Sequence, residues 1–321
     1  MVESVLQTVY DNHVEELAID LDGIPSNIDV SQAVLKVEKL WINGLQTGRT
    51  GQREAILRAV IEAQDFHLKY LYLGSKVSEV SPDLLASAAL KVDTLEFDGS
   101  TPGQVGEILT RLASTEDSKL RVLDLGFECV DISHLPPEPV TEGLLKLQSV
   151  SRMIQQLLLS PGQMTHLFTK IRDIEDPWFD HFPLLQIDLL QLDPDVLAGA
   201  VTRIDQVEMR VTAVQIQSVL TKIHLGGCKL RHLELQETDL SLVTTEVLIG
   251  ALRKMEYCET DFGIFTRAQV AAILNMVTAR SQGNLKKLRI FSPIIDEETF
   301  SLLVAAEENE ILEISKQTYV L

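Results

Sequence analysis

The chain has 321 residues, of which 45% are hydrophobic and only 5% aromatic, and its formal net charge is −19. Proteins bind nucleic acids and anionic membranes through clusters of Lys and Arg, so this charge argues against DNA, RNA or an anionic membrane as the main partner. Two interpretations of the charge stay open: an acidic surface that keeps the protein soluble, or a surface that binds a basic partner.

The first predicted element covers residues 1–13, where apolar and polar residues alternate in the manner of an amphipathic helix. Such a helix would cover the first unit of the protein that follows it. These residues show neither a basic region nor a long apolar run, so we expect no signal peptide. No later stretch approaches the roughly 18 apolar residues of a membrane span. The apolar residues of the predicted helix are Val5, Leu6, Val9 and Tyr10.

From residue 14 onward, a hydrophobic phrase of the form L-x-x-L-x-L returns about every 22–32 residues. Each copy predicts a short strand whose apolar residues point inward with a period of two. The clearest copies begin at Leu68, Leu120, Leu230 and Leu285. The others begin at Val14, Val37, Val92, Val150, Phe182, Ile204 and Met255, with a degraded copy at Ile311.

Two kinds of helix start alternate between these strands. One reads S/D-P-D, at Ser81 and Asp193, and the other reads T/S-P-G-Q or a relative of it, at Thr101, Ser160, Thr212 and Thr266. Ser or Thr is a favourable N-cap, and Pro is well tolerated at the first helical position. Two segments depart from the pattern. Residues 130–140, with three prolines, predict extended chain, and residues 172–183 predict a loop insertion.

This alternation of strand phrase and helix resembles the leucine-rich repeat family, and the two-unit super-repeat resembles its ribonuclease-inhibitor-like class. The resemblance covers roughly residues 14 to 315. It implies an α/β solenoid, or horseshoe, of about 11–12 repeats, with a parallel β-sheet on the concave face and helices on the convex face. Because a single unit cannot close a core, we predict one repeat domain over residues 14–321 behind the capping helix at 1–13.

The side chains that alternate with the inward residues are expected to line the concave face, where neighbours across strands stand about 4.8 Å apart. Near the N-terminus, Trp41, Tyr70 and Tyr72 then form an aromatic cluster bounded by Lys39 and Glu96. Exposed Trp and Tyr often supply most of the binding energy of an interface. A register shifted by one residue would instead place these rings in the core.

The same columns also bring carboxylates together. Glu208, Glu234 and Glu259 fall on three successive predicted strands, and Glu96 and Asp124 form a similar pair. Like charges on adjacent strands repel each other, so a basic partner lying across them would explain the ladder. Chance placement in an acidic chain explains it equally well. Basic residues interrupt the acidic run at Arg152, Arg210, Lys287 and Arg289.

No pattern indicates catalysis, a cofactor or a metal ion. The seven histidines form no H-x-x-x-H pair and do not stand at zinc spacing with the cysteines. The segment Gly48 to Gly51 lacks the G-K-[ST] ending of a phosphate loop. An odd number of scattered cysteines, Cys129, Cys228 and Cys258, favours a reducing, cytoplasmic compartment.

The sequence therefore predicts a non-catalytic protein-recognition module, as in the sensor half of intracellular innate-immune receptors or in scaffolds. The alternative is a regulator or inhibitor of an enzyme, such as a GTPase or a nuclease, acting through the acidic face. GTPase activators of this family place a functional Arg near the N-terminal rim, where Arg49 and Arg53 match poorly. A larger parent chain, or self-association at the C-terminal end, is a further expectation. The predicted partner-binding residues are Lys39, Trp41, Tyr70, Tyr72, Glu96, Asp124, Glu208, Glu234 and Glu259.

Overall fold

The chain divides into two compact units, Met1–Gln163 and Met164–Leu321. The predicted capping helix over residues 1–13 lies outside the described residues, and a single domain over 14–321 stays a prediction. The computed structural model describes residues 14–24, 30, 36–44, 50–63, 67–74, 77–126, 129–174, 181–184, 189–261, 263–279, 283–291, 294–295, 311–314 and 319–320.

The first unit contains a parallel sheet with short helices between its strands. The strands are β1 (Val14–Asp20), β2 (Val37–Asn43), β3 (Tyr70–Tyr72), β4 (Thr94–Glu96), β5 (Val122–Asp124), β6 (Val130–Asp131) and β7 (Leu157–Leu158). The helices are α1 (Thr50–Glu62), α2 (Pro82–Ala89), α3 (Pro102–Ser114), α4 (Pro137–Leu145) and α5 (Val150–Gln155). Strands β1 to β5 form one sheet in chain order, and β6 pairs with β7.

The second unit repeats this plan. Its strands are β8 (His181–Pro183), β9 (Gln206–Met209), β10 (His232–Gln236), β11 (Tyr257–Asp261), β12 (Lys287–Phe291), β13 (Ile294–Ile295), β14 (Leu312–Ile314) and β15 (Tyr319–Val320). The remaining helices are α6 (Pro161–Asp173), α7 (Pro194–Val201), α8 (Ala213–Leu225), α9 (Thr245–Leu252) and α10 (Arg267–Thr278). The main sheet has the order β14-β12-β11-β10-β9-β8, and β13 pairs with β15.

The strand phrase folds as its apolar spacing predicts. In the copy at Leu68, the side chains of Leu68, Leu71 and Leu73 are buried, whereas Tyr70 and Tyr72 alternate with them and stay half-buried. The same phrase positions pair across successive strands, and all of these pairs are parallel. Parallel strands joined by helices confirm the predicted α/β class.

The helices that follow T/S-P-G-Q or its relatives begin with a buried glutamine that joins neighbouring repeats. In α8, Thr212 caps the helix by accepting a hydrogen bond from the backbone N–H of Gln215, and the Gln215 Oε1 accepts one from the N–H of Thr212. The Gln215 Nε2 also donates to the carbonyls of Leu189 (2.6 Å) and Leu192 (2.8 Å), which lie just before α7. Equivalent amides occur at Gln104, Gln163 and Gln269. We call this arrangement the glutamine clamp.

The first sheet ends at β5, and the strand predicted at Val150 is wrong. Residues Val150–Gln155 form α5 instead, so Arg152 and Ile154 lie on a helix. The outer edge of β5 is already bonded: the Ser149 hydroxyl bonds the N–H (3.0 Å) and the carbonyl (3.1 Å) of Leu123. Gln156 accepts from the N–H of Leu125 at 3.2 Å. These side chains take the bonds that a further strand would have made.

Two other boundaries differ from the sequence prediction. Phe182 pairs with Val207 and Pro183 with Glu208, so the phrase near β8 lies three residues earlier than predicted. A phrase beginning at Phe182 would have turned Leu184 outward, but in the observed register Leu184 is buried. In the segment 130–140, Pro137 begins α4 rather than extending the chain, because Pro suits the first position of a helix.

Candidate protein-binding surfaces on the two sheets

The three predicted aromatic side chains lie together on the outward face of the first sheet. Trp41 on β2 pairs in register with Tyr72 on β3, and Lys39 pairs with Tyr70. The ring centroids of Trp41 and Tyr70 are 5.2 Å apart with an interplanar angle of 46°. All three rings are half-buried, so the predicted register is correct and the rings do not lie in the core. We call Trp41, Tyr70 and Tyr72 the aromatic row.

Carboxylates on the neighbouring repeat hold both tyrosine rings in place. The Tyr70 hydroxyl donates to Glu96 Oε2 at 2.6 Å, and the Tyr72 hydroxyl donates to Asp98 Oδ2 at 3.1 Å. Burial raises the pKa of both phenols, and each accepting carboxylate raises it further, so both rings stay neutral. Side chains fixed in this way lose little conformational entropy when a partner covers them.

The charged residues predicted around the aromatic row differ in their availability. The Lys39 ammonium lies 2.6 Å from Glu16 Oε1 and 3.5 Å from Glu15 Oε1, at the edge of the row. Asp124 is only 4% exposed and accepts hydrogen bonds from Gln156 Nε2 and from the N–H of Gly126. Arg152 pairs with its other oxygen at 2.5 Å. The Asp124 carboxylate thus holds the end of the sheet together.

In the second unit, Glu208, Glu234 and Glu259 stand side by side on β9, β10 and β11, as predicted. We call these three residues the acidic ladder. Glu208 accepts a hydrogen bond from Gln236 Nε2 at 3.3 Å. Glu259 accepts one from the Tyr257 hydroxyl and lies 3.5 Å from Arg289 Nη1. Within the part of the chain that the structure describes, Glu234 has neither an ion pair nor a hydrogen bond to its carboxylate.

A second row of charges, directly before strands β9 to β12, alternates in sign. Asp205, Arg231, Glu256 and Lys286 precede β9 to β12 in turn. Arg231 lies 3.3 Å from Asp205 and 3.8 Å from Glu256, and Lys286 lies 2.5 Å from Glu256. Each of these charges is the second residue of its phrase. The alternation of sign can therefore be found in the sequence, although the sequence prediction did not use it. Opposite charges therefore neighbour one another in this row, whereas the acidic ladder on the same sheet places three like charges side by side.

The sequence prediction also missed a cluster beside the acidic ladder. The Arg289 guanidinium donates to the Tyr257 hydroxyl at 2.9 Å, packs over the Tyr257 ring and pairs with Glu313 at 3.0 Å. The His232 ring meets the Tyr257 ring edge to face, with centroids 5.9 Å apart. Burial raises the pKa of Tyr257 to about 12. The Arg289 guanidinium thus pairs with Glu259 at one end of the ladder, whereas it acts on Glu234 only from a longer distance.

Burial raises the pKa of Glu234 above its ordinary value, and the carboxylates of Glu259 and Glu208 raise it further. A raised pKa means that the folded protein is stabilised below the ordinary pKa and loses that stability as pH rises through the shifted value. At pH 7 the ionised Glu234 therefore destabilises the fold. We expect Glu234→Gln to increase the free energy of unfolding at pH 7 by about 0.5 kcal/mol, since the site is partly solvated.

Urea unfolding at pH 7 and at pH 4 measures this effect, and the gain should disappear at the lower pH. Glu256→Gln is the matched control on the same sheet. Lys286 lowers the pKa of Glu256, so this variant should lose stability at pH 7. Equal responses of the two variants would contradict the assignment of repulsion to the ladder.

The remaining chemistry is sparse. Within the described ranges, no group of three or more His, Cys, Asp or Glu side chains is arranged to hold a metal ion. Among the described helices, none is long and apolar enough to cross a membrane. Arg53 is 1% exposed and donates to the carbonyl of Gly44 at 2.6 Å, so it is not presented at a rim. Cys258 is buried, and burial raises its pKa to about 12, which disfavours the reactive thiolate.

Comparison with known proteins gives no family. No protein-family model matches this chain, and the comparison with curated proteins found no match.

Proposed function

We propose that this chain is a non-catalytic leucine-rich repeat module of the ribonuclease-inhibitor-like class that recognises a partner protein through the aromatic row. The repeated phrase and the in-register parallel strands support the repeat assignment. The single observation that carries the binding proposal is that Trp41, Tyr70 and Tyr72 lie half-buried on one sheet face, with the rings of Trp41 and Tyr70 in contact and both tyrosine hydroxyls fixed. Such rigid aromatic groups are typical binding hot spots.

The proposal also covers the cellular location of the protein and the chemistry of its partner. The three cysteines are free thiols, which suits a reducing compartment, and we propose a cytoplasmic location. The partner surface would present apolar groups to the rings and a carboxylate or carbonyl near Lys39. A sensor domain of a larger receptor or a scaffold would both use such a surface.

The second candidate is a regulator or inhibitor of an enzyme, such as a GTPase or a nuclease, that binds a basic surface through the acidic ladder. The observation that favours it is Glu234, which lies between two carboxylates and forms no ion pair with any described residue, although the residues directly before these strands alternate in sign. A Lys or Arg of the partner beside Glu234 would remove this repulsion.

Photo-crosslinking from defined positions tests the two candidates together. A benzophenone amino acid at Asn43, which is exposed on β2 two residues from Trp41, should crosslink a discrete protein, whereas the same group at Thr110, exposed on α3 of the same unit, should not. With that partner purified, we expect Trp41→Ala to weaken binding at least about tenfold, with little change between low and high salt. The Glu208/Glu234/Glu259→Gln variant should bind normally.

The opposite pattern, in which the triple variant abolishes a strongly salt-dependent interaction and Trp41→Ala does not, would favour the enzyme regulator. Equal crosslinking from positions 43 and 110 would contradict the binding role of the aromatic row. Thermal unfolding of each variant separates lost binding from lost folding.

A further inference from the structure

The outward face of helix α8 is unusual for this acidic protein. Val214 and Leu225 are 60% and 77% exposed, one at each end of the helix. Between them, Ser218 and Thr221 fall on the same side at helical spacing. Helix α8 contains no Asp or Glu, although the chain carries a net charge of −19. The helix therefore presents a face with apolar ends, a small polar centre and no carboxylate.

An open cleft of about 590 Å³ lies between this face and α7. Asp195 and Ala198 line it from α7, and Val214, Ser218, Lys222 and Leu225 line it from α8. Among the residues that the structure describes, neither Asp195 nor Lys222 has an ion-pair partner. Each copy of the protein thus offers one group of each sign at the cleft.

The corresponding helix pair in the first unit shows what closes such a cleft. Aligned on the glutamine clamp, Arg111 of α3 corresponds to Lys222, and Glu107 to Ser218. The Arg111 guanidinium lies against α2, where it bonds Asp83 and the Ser87 hydroxyl, and it also pairs with Glu107 at 2.7 Å. Between α7 and α8, Gly199 takes the place of Ser87, and no such network forms among the described residues.

We propose that α8 binds α8 of a second copy of this chain, antiparallel across a two-fold axis. A two-fold interface needs a surface that is complementary to itself. An axis passing between positions 219 and 220 places Val214 opposite Leu225 of the second copy, and Ser218 opposite Thr221. The small central side chains allow close approach, and the apolar ends meet each other.

Charge favours a second copy at this face. Elsewhere the like net charges of two acidic chains repel each other, but here each copy brings Lys222 and Asp195 and no carboxylate from α8. The 13-residue helix is about 20 Å long. A contact along a single helix of this length buries little surface area compared with most stable interfaces. We therefore expect a weak dimer, with a dissociation constant of roughly 1–100 µM.

Sedimentation velocity of the full chain, from about 1 to 500 µM, tests the proposal. We expect a concentration-dependent dimer, and we expect Leu225→Glu to raise its dissociation constant at least about tenfold. Leu242→Glu is the matched control, because Leu242 is 62% exposed but lies outside the cleft. It should leave the dimer unchanged.

A second variant keeps the fold intact while closing the cleft. Ser218→Glu with Lys222→Arg rebuilds the pair formed by Glu107 and Arg111, with Asp195 in the place of Asp83. We expect a melting temperature at least equal to that of the wild type and no dimer. A monomer at every concentration overturns the proposal. A dimer that survives both Leu225→Glu and the double variant, or one that Leu242→Glu weakens equally, overturns it as well.

Discussion

Gly143→Ala is expected to destabilise the first unit by about 3 kcal/mol, because a methyl group at this position collides with backbone. Gly143 is buried in α4, where that helix packs against α3. A Cβ at this position would lie 2.3 Å from the carbonyl oxygen of Leu109 and 2.9 Å from its carbonyl carbon. Because Leu109 lies inside α3, its carbonyl can move only if one helix shifts away from the other.

Urea unfolding gives the loss of stability, and hydrogen exchange of peptides from α3 and α4 locates it. Gly103→Ala is the matched control on α3, where a Cβ would have no atom within 4 Å. Alanine should stabilise that position by about 0.5 kcal/mol, since glycine loses more entropy on folding. A Gly143→Ala protein as stable as the wild type would show that the two helices are not packed this closely.

Removing one glutamine clamp is expected to cost a similar amount. Gln215→Met keeps an apolar side chain of similar length but leaves the carbonyls of Leu189 and Leu192 without their buried donors. It also removes the oxygen that accepts from the N–H of Thr212. Unsatisfied buried groups cost about 1–3 kcal/mol each, so we expect a loss of about 3 kcal/mol in the free energy of unfolding.

Two companion variants make this test specific. Gln217→Met lies two residues away on the exposed side of α8 and should change stability by less than about 0.5 kcal/mol. Gln215→Glu keeps the shape and the accepting oxygen but loses both N–H donors, so it should be at least as destabilising as Gln215→Met at pH 7. If Gln215→Glu were neutral, the two carbonyl bonds would not be the source of the stability.

Much of the architecture follows from local pattern. The helix starts at Thr101, Thr212 and Thr266 depend on residues within one turn, so the sequence signal was sufficient to predict them. The outward position of Trp41, Tyr70 and Tyr72 follows from the period of two in a strand, once the apolar positions beside them are identified. The column of Glu208, Glu234 and Glu259 follows from the same rule applied across three repeats.

Other features depend on what each segment meets in the fold. Val150, Met153, Ile154 and Leu157 suit a helix as well as a strand phrase, since their spacing fits a period of 3.6. The hydrogen bonds of Ser149 and Gln156 to the edge of β5 favour the helix, because they occupy the groups with which another strand would pair. Burial of Asp124 follows from the same local closure of the sheet, which no pattern in its own strand reveals.

The sequence by itself determined the repeat, the helix starts and the face on which each strand residue lies, because these depend on neighbours within a few residues. Only the tertiary structure decided which side chains are already bonded. The two carbonyls held by Gln215 lie 23 and 26 residues away along the chain, and Arg289 reaches Tyr257 across 32 residues. Glu234 is distinguished from its neighbours in the same way: its carboxylate forms no ion pair with any described residue, and this depends on the surrounding strands rather than on the strand that carries it.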